Sequence, residues 1–393
     1  MKVLVVFGTR PEAIKMIPVV EALRAEPGVD VKVCVTAQHR QMLDQVLDLF
    51  GVEPDYDLDI MGNAQGLTDI TCRVLQGLGA CLDEVRPDRV LVHGDTTTTL
   101  AATLACYYRQ IPLGHVEAGL RSYDPRQPWP EELNRRVADI AADQLFAPTQ
   151  RSKENLLAEQ AKPEHIFVTG NTVIDALQAT LGLINVDRGA EQRFRARFPY
   201  LDGGAPMVLV TGHRRESFGE PFRELCAAIR DLAGSFPIEV VYPVHLNPNV
   251  QRPVREILGG LGNVHLVEPQ EYLPFVQLMA RARVILTDSG GIQEEAPSLG
   301  KPVFVMRNVT ERPEAVDAGA VKLVGTSRRR ILEEVGSVLT SPEHYGRMSR
   351  AQNPYGDGRA ARRIAGIVAG RTVEEWVPAS AVMSSHTEPL RAA

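Results

Sequence analysis

At 393 residues the chain exceeds what one hydrophobic core sustains, since single cores stop growing at roughly 250–300 residues, so two domains are expected. A hydrophobic fraction of 44% with 23% charged residues is that of a globular enzyme and excludes a fibrous or low-complexity chain. The net charge of −6, from 43 Lys and Arg against 49 Asp and Glu, excludes the basic face of a nucleic-acid binder but not an anionic ligand held by a few local cations.

The 5 cysteines (34, 72, 81, 106 and 226) show no Cys-x-x-Cys spacing, so neither a disulfide framework nor a thiolate zinc site is indicated. Met1-Lys2 leads directly into a strand-like run. No signal-peptide pattern and no apolar stretch of about 18 residues is present, so the expectation is a cytoplasmic protein with no membrane partner.

Short apolar runs predict strands at 3–7, 31–36, 89–93, 111–116 and 144–147. Stretches of helical period separate them, such as Ile14, Ile17, Val20 and Leu23. Buried strands alternating with amphipathic helices predict a parallel sheet covered on both faces. The pattern restarts at 207–211 and continues through 238–242, 264–267, 283–287, 302–305 and 320–324. The fold class is therefore α/β, with two doubly wound, Rossmann-like domains facing a cleft. The expected boundaries are 1–169 and 170–364, then a C-terminal helix over 365–376 and a disordered tail over 377–393. Ligands of such sheets bind beyond the carboxyl ends of the strands, which makes the residues just after each strand the ones to examine.

The first such segment, FGTRPEAIK (7–15), places Pro11 in a helix's first turn with Arg10 and Lys15 beside it. A helix start flanked by two cations suits an anion. With only one glycine it is neither a dinucleotide fingerprint nor a Gly-Lys-Ser/Thr phosphate loop. HGDTTTT (93–99) sets Asp95 after a strand, where ordinary N-capping is the plain alternative. HVEAGLRS (115–122) puts Glu117 at a strand end, and QPWPEELNRR (127–136) opens a helix on Glu131 and Glu132, where acids also belong for helix-dipole reasons alone. Asp95, Glu117 and Glu131 nonetheless come from successive loops on one sheet edge, and converging carboxylates are how acid and base roles are separated.

In the second half, TGHRRESFG (211–219) sets His213, Arg214 and Arg215 after a strand. A lone His is more often structural, but one flanked by two arginines at this position reads as functional. In TDSGGIQEEAPSLG (287–300), Ser289, Gly290 and Gly291 open a helix whose amides suit phosphate oxygens, and Glu295 stands where a carboxylate reaches ribose hydroxyls. A Gly-rich N-cap with solvated acids is the plainer alternative. No metal-binding signature is found, so no metal and no cofactor is expected.

Taken in order, FGTRPEAIKM, TAQHRQMLDQ, HGDTTTT, HVEAGLRS, PWPEELNR, GNTVIDAL, TGHRRE, PQEYLPF and DSGGIQEEAPSLGKP resemble the non-hydrolysing UDP-N-acetylglucosamine 2-epimerases across roughly 7–312. The resemblance implies a glycosyltransferase type B fold and a homodimer. Arg10, Lys15, Asp95, Glu117 and His213 match substrate-contacting positions, and Asp95, Glu117, Glu131 and His213 are the expected catalytic set. Gln270 and Phe275 match positions at the uracil, Ser289–Gly291 the diphosphate loop, Glu295 the ribose, and Arg312 a further nucleotide contact. The family also implies activation by UDP-N-acetylglucosamine at a second site, where Gln38, Gln41, Glu131, Arg214 and His245 resemble residues of that region. Ala64 replaces the arginine that often precedes the glutamine matching Gln65, which leaves that contact set incomplete.

Carbon 2 of such a sugar lacks an adjacent carbonyl, so its proton is weakly acidic and plain deprotonation is unattractive. Departure of UDP from carbon 1 as carbon 2 loses its proton gives 2-acetamidoglucal; re-addition with protonation of the other face inverts the centre. The resemblance implies this same route. The competing readings are a hydrolysing 2-epimerase, a 2-epimerase for a modified UDP-sugar, a glycosyltransferase of the same fold, and a non-catalytic nucleotide-sugar sensor.

Overall fold

The computed structural model describes residues 1–37, 40–62 and 65–378. Packing divides the chain into two compact units, Met1–Ala176 together with the segment from Tyr355 onward, and Leu177–Pro354.

The first unit holds a wholly parallel sheet of seven strands in the order β3-β2-β1-β4-β5-β6-β7. Its strands are β1 (Lys2–Phe7), β2 (Asp30–Val35), β3 (Tyr56–Asp57), β4 (Arg89–His93), β5 (Leu113–Val116), β6 (Gln144–Ala147) and β7 (Ile166–Val168). The apolar runs become central strands because helices cover both faces. In β1 every residue from Val3 to Phe7 is buried, and Leu4 and Val6 join Val74, Leu78, Ala101 and Ala105 in one core. Two strands are absent from the sequence reading: β3, two residues (Tyr56–Asp57) with no apolar run, and β7, whose IFV is as short and as apolar as β12.

The second unit repeats the plan with six parallel strands in the order β10-β9-β8-β11-β12-β13. These are β8 (Met207–Thr211), β9 (Glu239–Pro243), β10 (Val264–Val267), β11 (Val284–Thr287), β12 (Val303–Val305) and β13 (Val321–Leu323). Its own core joins Val208, Val210, Leu225, Ile229, Leu286 and Phe304. Both sheets are thus doubly wound α/β layers, as the alternating pattern predicts. In each, strand order reverses at one switch point, between β1 and β4 in the first and between β8 and β11 in the second. Ligands of open α/β sheets bind at such reversals.

The C-terminal helix lies earlier than the expected 365–376. It spans Ala360–Val368 and stops before Gly370, whose φ of 77° breaks the helical run. Its first two amides, from Ala360 and Ala361, donate to the Asp175 carboxylate at 3.2 and 2.9 Å, which ties the returning segment to the first unit. Within that segment the Trp376 amide also donates to the Val168 carbonyl at the end of β7, at 2.8 Å. The expected tail falls outside the described residues from 379 on. Among the described residues, no helix is long and apolar enough to cross a membrane.

Candidate functional site

At the switch point of the first sheet, Glu12 joins the two loops. Its Oε2 accepts the Gly8 and Thr9 amides at 3.0 and 2.8 Å, and its Oε1 accepts the Thr96 and Thr99 hydroxyls at 2.7 and 3.3 Å. With 2% exposure, this carboxylate is part of the scaffold rather than a solvated first-turn acid. The FGTRPE motif therefore contains the brace that fixes the HGDTTTT turn, a role invisible until β1 and β4 are known to be neighbours.

The braced turn presents Asp95, whose Oδ2 pairs with the Arg135 guanidinium. The N-cap of the following helix is Thr96, accepting the Thr99 amide at 3.2 Å, so Asp95 is not spent on capping. Asn134 Nδ2 donates to the Asp95 carbonyl at 2.8 Å, and Arg135 also reaches Glu132 Oε2 at 3.3 Å. Glu132, fully buried, accepts the Ser122 and Tyr123 amides at 3.0 and 3.1 Å and holds the loop after β5. The dipole explanation for that acid is thereby replaced by a loop-anchoring one. Its neighbour Glu131 has a buried Oε2 with no hydrogen-bond partner among the described residues.

Glu117 follows β5 in left-handed backbone, with φ of 68° and 9% exposure. Such strain persists only where the surroundings over-determine it, and it concentrates at functional sites. Lys15 Nζ pairs with Glu117 Oε2, and Asn171 Nδ2 donates to the same oxygen at 2.9 Å. The loop is held from behind by His115, fully buried, with its ring nitrogens 2.6 Å from Asp139 Oδ1 and 2.7 Å from the Gly94 carbonyl. Asp139 also binds the Gly119 amide at 3.2 Å and Arg121 Nη2 at 2.7 Å. Burial would raise the Asp139 carboxyl, but His115 and Arg121 beside it hold it below the usual range. At Gly119, with φ of 86°, a Cβ would stand 2.3 Å from the Ser152 carbonyl, so the loop packs where no side chain fits. Arg10 is half-buried and opens the helix Arg10–Arg24.

The second unit uses the same device at its own reversal. Asp288, at the end of β11 and 1% exposed, accepts the His213 and Arg214 amides at 2.6 and 2.7 Å on Oδ2, while His213 Nδ1 lies 3.3 Å from Oδ1. Burial would raise the Asp288 carboxyl; His213 and the two amides bring it below the usual range instead. The His213 and His245 rings stack with centroids 5.3 Å apart, and desolvation with the His213 charge lowers His245.

Ser289 caps the helix Gly290–Glu295, its own amide donating to Thr287 Oγ1 at 3.0 Å. At Gly290 a Cβ would lie 2.6 Å from the Arg312 guanidinium carbon, so glycine there is what lets Arg312 lie over the turn. Arg312 Nε donates to Glu294 Oε1 at 2.7 Å and Nη1 to Glu311 Oε1 at 2.9 Å. Glu311 also receives Arg307 Nη1 at 2.9 Å and has Arg214 Nη2 at 3.8 Å. Burial would raise the Glu311 carboxyl, but Arg312 and Arg307 outweigh it and hold it at about 2. Glu295 Oε1 accepts the Tyr272 hydroxyl at 2.6 Å, so the carboxylate is oriented by a side chain one turn before Phe275. Phe275 is half-buried, and Gln270 is 7% exposed with Nε2 donating to the Glu268 carbonyl at 2.5 Å.

The structure thus brings Lys15 to Glu117 in the first unit, and His213 to His245, with Arg214 and Arg312 both meeting Glu311, in the second. Gln41 is exposed on the helix Arg40–Phe50, and Gln38 and Ala64 lie outside the described residues. Glu12, Asn171, Asp288 and Tyr272 were not singled out from sequence, although all lie in or beside the quoted motifs; their partners are distant in the chain.

The family model described as UDP-N-acetylglucosamine 2-epimerase matches residues 21–369. The UDP-N-acetylglucosamine 2-epimerase of Escherichia coli K12 is 60% identical over 365 residues, 93% of this chain and 97% of that protein. The crystal structure of UDP-GlcNAc 2-epimerase from Neisseria meningitidis bound to UDP-GlcNAc superimposes with a TM-score of 0.90 at 50% identity, covering 94% of this chain and all of that one (100%). The Methanocaldococcus jannaschii UDP-GlcNAc 2-epimerase in complex with UDP-GlcNAc and UDP gives 0.79 at 32% identity, covering 94% of this chain and 100% of that one. With two doubly wound units and their strand-end loops in view, these likenesses over nearly the whole chain place it in the UDP-N-acetylglucosamine 2-epimerase family.

Proposed function

We propose that the protein interconverts UDP-N-acetylglucosamine and UDP-N-acetylmannosamine without net hydrolysis, by eliminating UDP to 2-acetamidoglucal and adding it back. The observation that carries this reading is Glu117, a buried carboxylate in strained backbone at the end of β5, with Lys15 and Asn171 on one oxygen. A group so constrained is suited to take or return a proton at one defined atom; a positioned acid or base contributes about 10²–10⁴-fold. Asp95 and Glu131 are the other proposed proton-handling groups. Glu131 is suited by its buried Oε2, which has no hydrogen-bond partner among the described residues, and Asp95 by its place on the braced turn, where Arg135 holds its Oδ2.

The nucleotide end is assigned to the second unit. Gln270 and Phe275 take the uracil, Glu295 the ribose, and Ser289–Gly291 with Arg312 the diphosphate. His213, together with Arg10, neutralises charge as the carbon 1–oxygen bond breaks; one such donor is worth roughly 10²–10³-fold. The substrate in the complexes of the N. meningitidis and M. jannaschii proteins supports this choice of ligand. Gln38, Gln41, Glu131, Arg214 and His245 are proposed to serve a second, activating UDP-N-acetylglucosamine, and a homodimer is the proposed assembly.

Proton NMR of UDP-N-acetylglucosamine with the purified protein in heavy water, without added metal or NAD, tests the route. Deuterium should enter at carbon 2 while the manno product stays attached to UDP. Free UDP appearing in step with sugar turnover would identify a hydrolysing 2-epimerase instead. A sugar unchanged until an acceptor is supplied would identify a glycosyltransferase.

A further inference from the structure

His93 closes β4 immediately before the Gly94–Asp95 turn. The strand up to it is apolar, with Val90, Leu91 and Val92 fully buried, so an imidazole at its end costs desolvation that a valine would not. The ring belongs to a residue only 4% exposed, and among the described residues neither Nδ1 nor Nε2 has a hydrogen-bond partner. The buried neighbour His115 contrasts with it, since both of its nitrogens are engaged. Buried polar groups are nearly always paired, and an orphaned one calls for a reason.

That reason lies 3.6 Å away, where Glu117 Oε2 faces His93 Nε2 just beyond hydrogen-bond range. The same oxygen is approached by Lys15 from the helix after β1 and by Asn171 at the head of the helix Thr172–Val186. Hydrogen bonds of a catalytic group are often long without substrate and tighten in its complex. We propose that His93 is a positioning residue for Glu117, its imidazole donating from Nε2 to Oε2 when substrate is bound. Lys15 and Asn171 reach Oε2 from elements other than β4. A donor from β4 fixes the plane of the carboxylate and hence the direction in which it meets the sugar proton. This inference rests on Glu117 being the reacting carboxylate.

The test compares steady-state turnover of the full-length variants His93→Asn, His93→Gln and Glu117→Gln on UDP-N-acetylglucosamine. A glutamine amide nitrogen reaches the position of Nε2, whereas that of asparagine reaches only Nδ1. His93→Asn should lower kcat by about 10²-fold, the scale expected when a reacting group is misplaced by an ångström, while KM stays within about threefold. His93→Gln should recover at least about tenfold of that loss, and His93→Asn should cause no further loss in the Glu117→Gln background. Turnover of His93→Asn within about threefold of wild type, or equal losses in the two His93 variants, overturns the proposal. If His93→Asn does not fold, as read from its melting curve, a hundredfold loss in folded His93→Gln does the same. Wild-type turnover in Glu117→Gln would defeat the underlying reading itself, whereas an inactive Glu117→Gln beside an active His93→Asn sinks the positioning role alone.

Discussion

Carboxylates at the strand ends include a brace and the groups proposed to handle the proton, and the two kinds differ in what their removal should do. Glu12 is a brace: two amides and two hydroxyls converge on its oxygens. Glu12→Ala strands those donors in a buried turn and should lower unfolding free energy by about 3 kcal/mol, measured by urea denaturation. A loss under about 1 kcal/mol would show that the turn holds itself. Asp95, Glu117 and Glu131 are the groups proposed to handle the proton, so Asp95→Asn, Glu117→Gln and Glu131→Gln should each lose about 10²-fold or more of turnover with the melting temperature nearly unchanged. Gly290 is a third kind of residue, defined by what it omits. Gly290→Ala places a methyl against the Arg312 guanidinium and should weaken UDP binding about tenfold by titration calorimetry, with affinity within twofold of wild type counting against the assigned phosphate turn.

Among the elements, the helix Ala360–Val368 depends on a cap supplied from far away in sequence. Asp175 accepts its Ala360 and Ala361 amides, yet burial dominates and pushes the carboxyl up to about 6, against those amides and with the Asp357 charge adding to the rise. Because the folded protein holds this proton more tightly than the unfolded chain, ionising Asp175 lowers stability as pH rises from about 4 to about 6. The cost is on the order of 2–3 kcal/mol. Asp175→Asn, which cannot ionise, should therefore gain on wild type across that window in urea midpoints taken at pH 4 and pH 7. A pH-independent difference would contradict it. Glu311 acts with the opposite sign. Its depressed carboxyl contributes stability above about pH 4.5 that is lost as pH falls towards 2.

For the molecule as a whole, continuity of the chain distinguishes the two units. Leu177–Pro354 is unbroken and owns its core, so this fragment should show a cooperative thermal transition by circular dichroism. Met1–Ala176 lacks the returning segment, which supplies the Ala360 and Ala361 amides and the Trp376 bond to β7, and should melt lower than its counterpart extended by that segment. Equal melting of both forms would make the return dispensable. The alternation of apolar runs with amphipathic stretches was sufficient for the α/β class and for the restart at β8, because strand burial and helix period are written within a few residues. The motif residues could likewise be placed at strand ends from local pattern alone. That Glu12 braces the turn of β4, that Asp288 holds His213, that Tyr272 orients Glu295 and that Asp175 caps a helix some 185 residues later were decided only by tertiary structure. A strand's neighbours in a parallel sheet are chosen by crossover and packing rather than by adjacent sequence, and a buried carboxylate's role follows from which donors that packing brings to it.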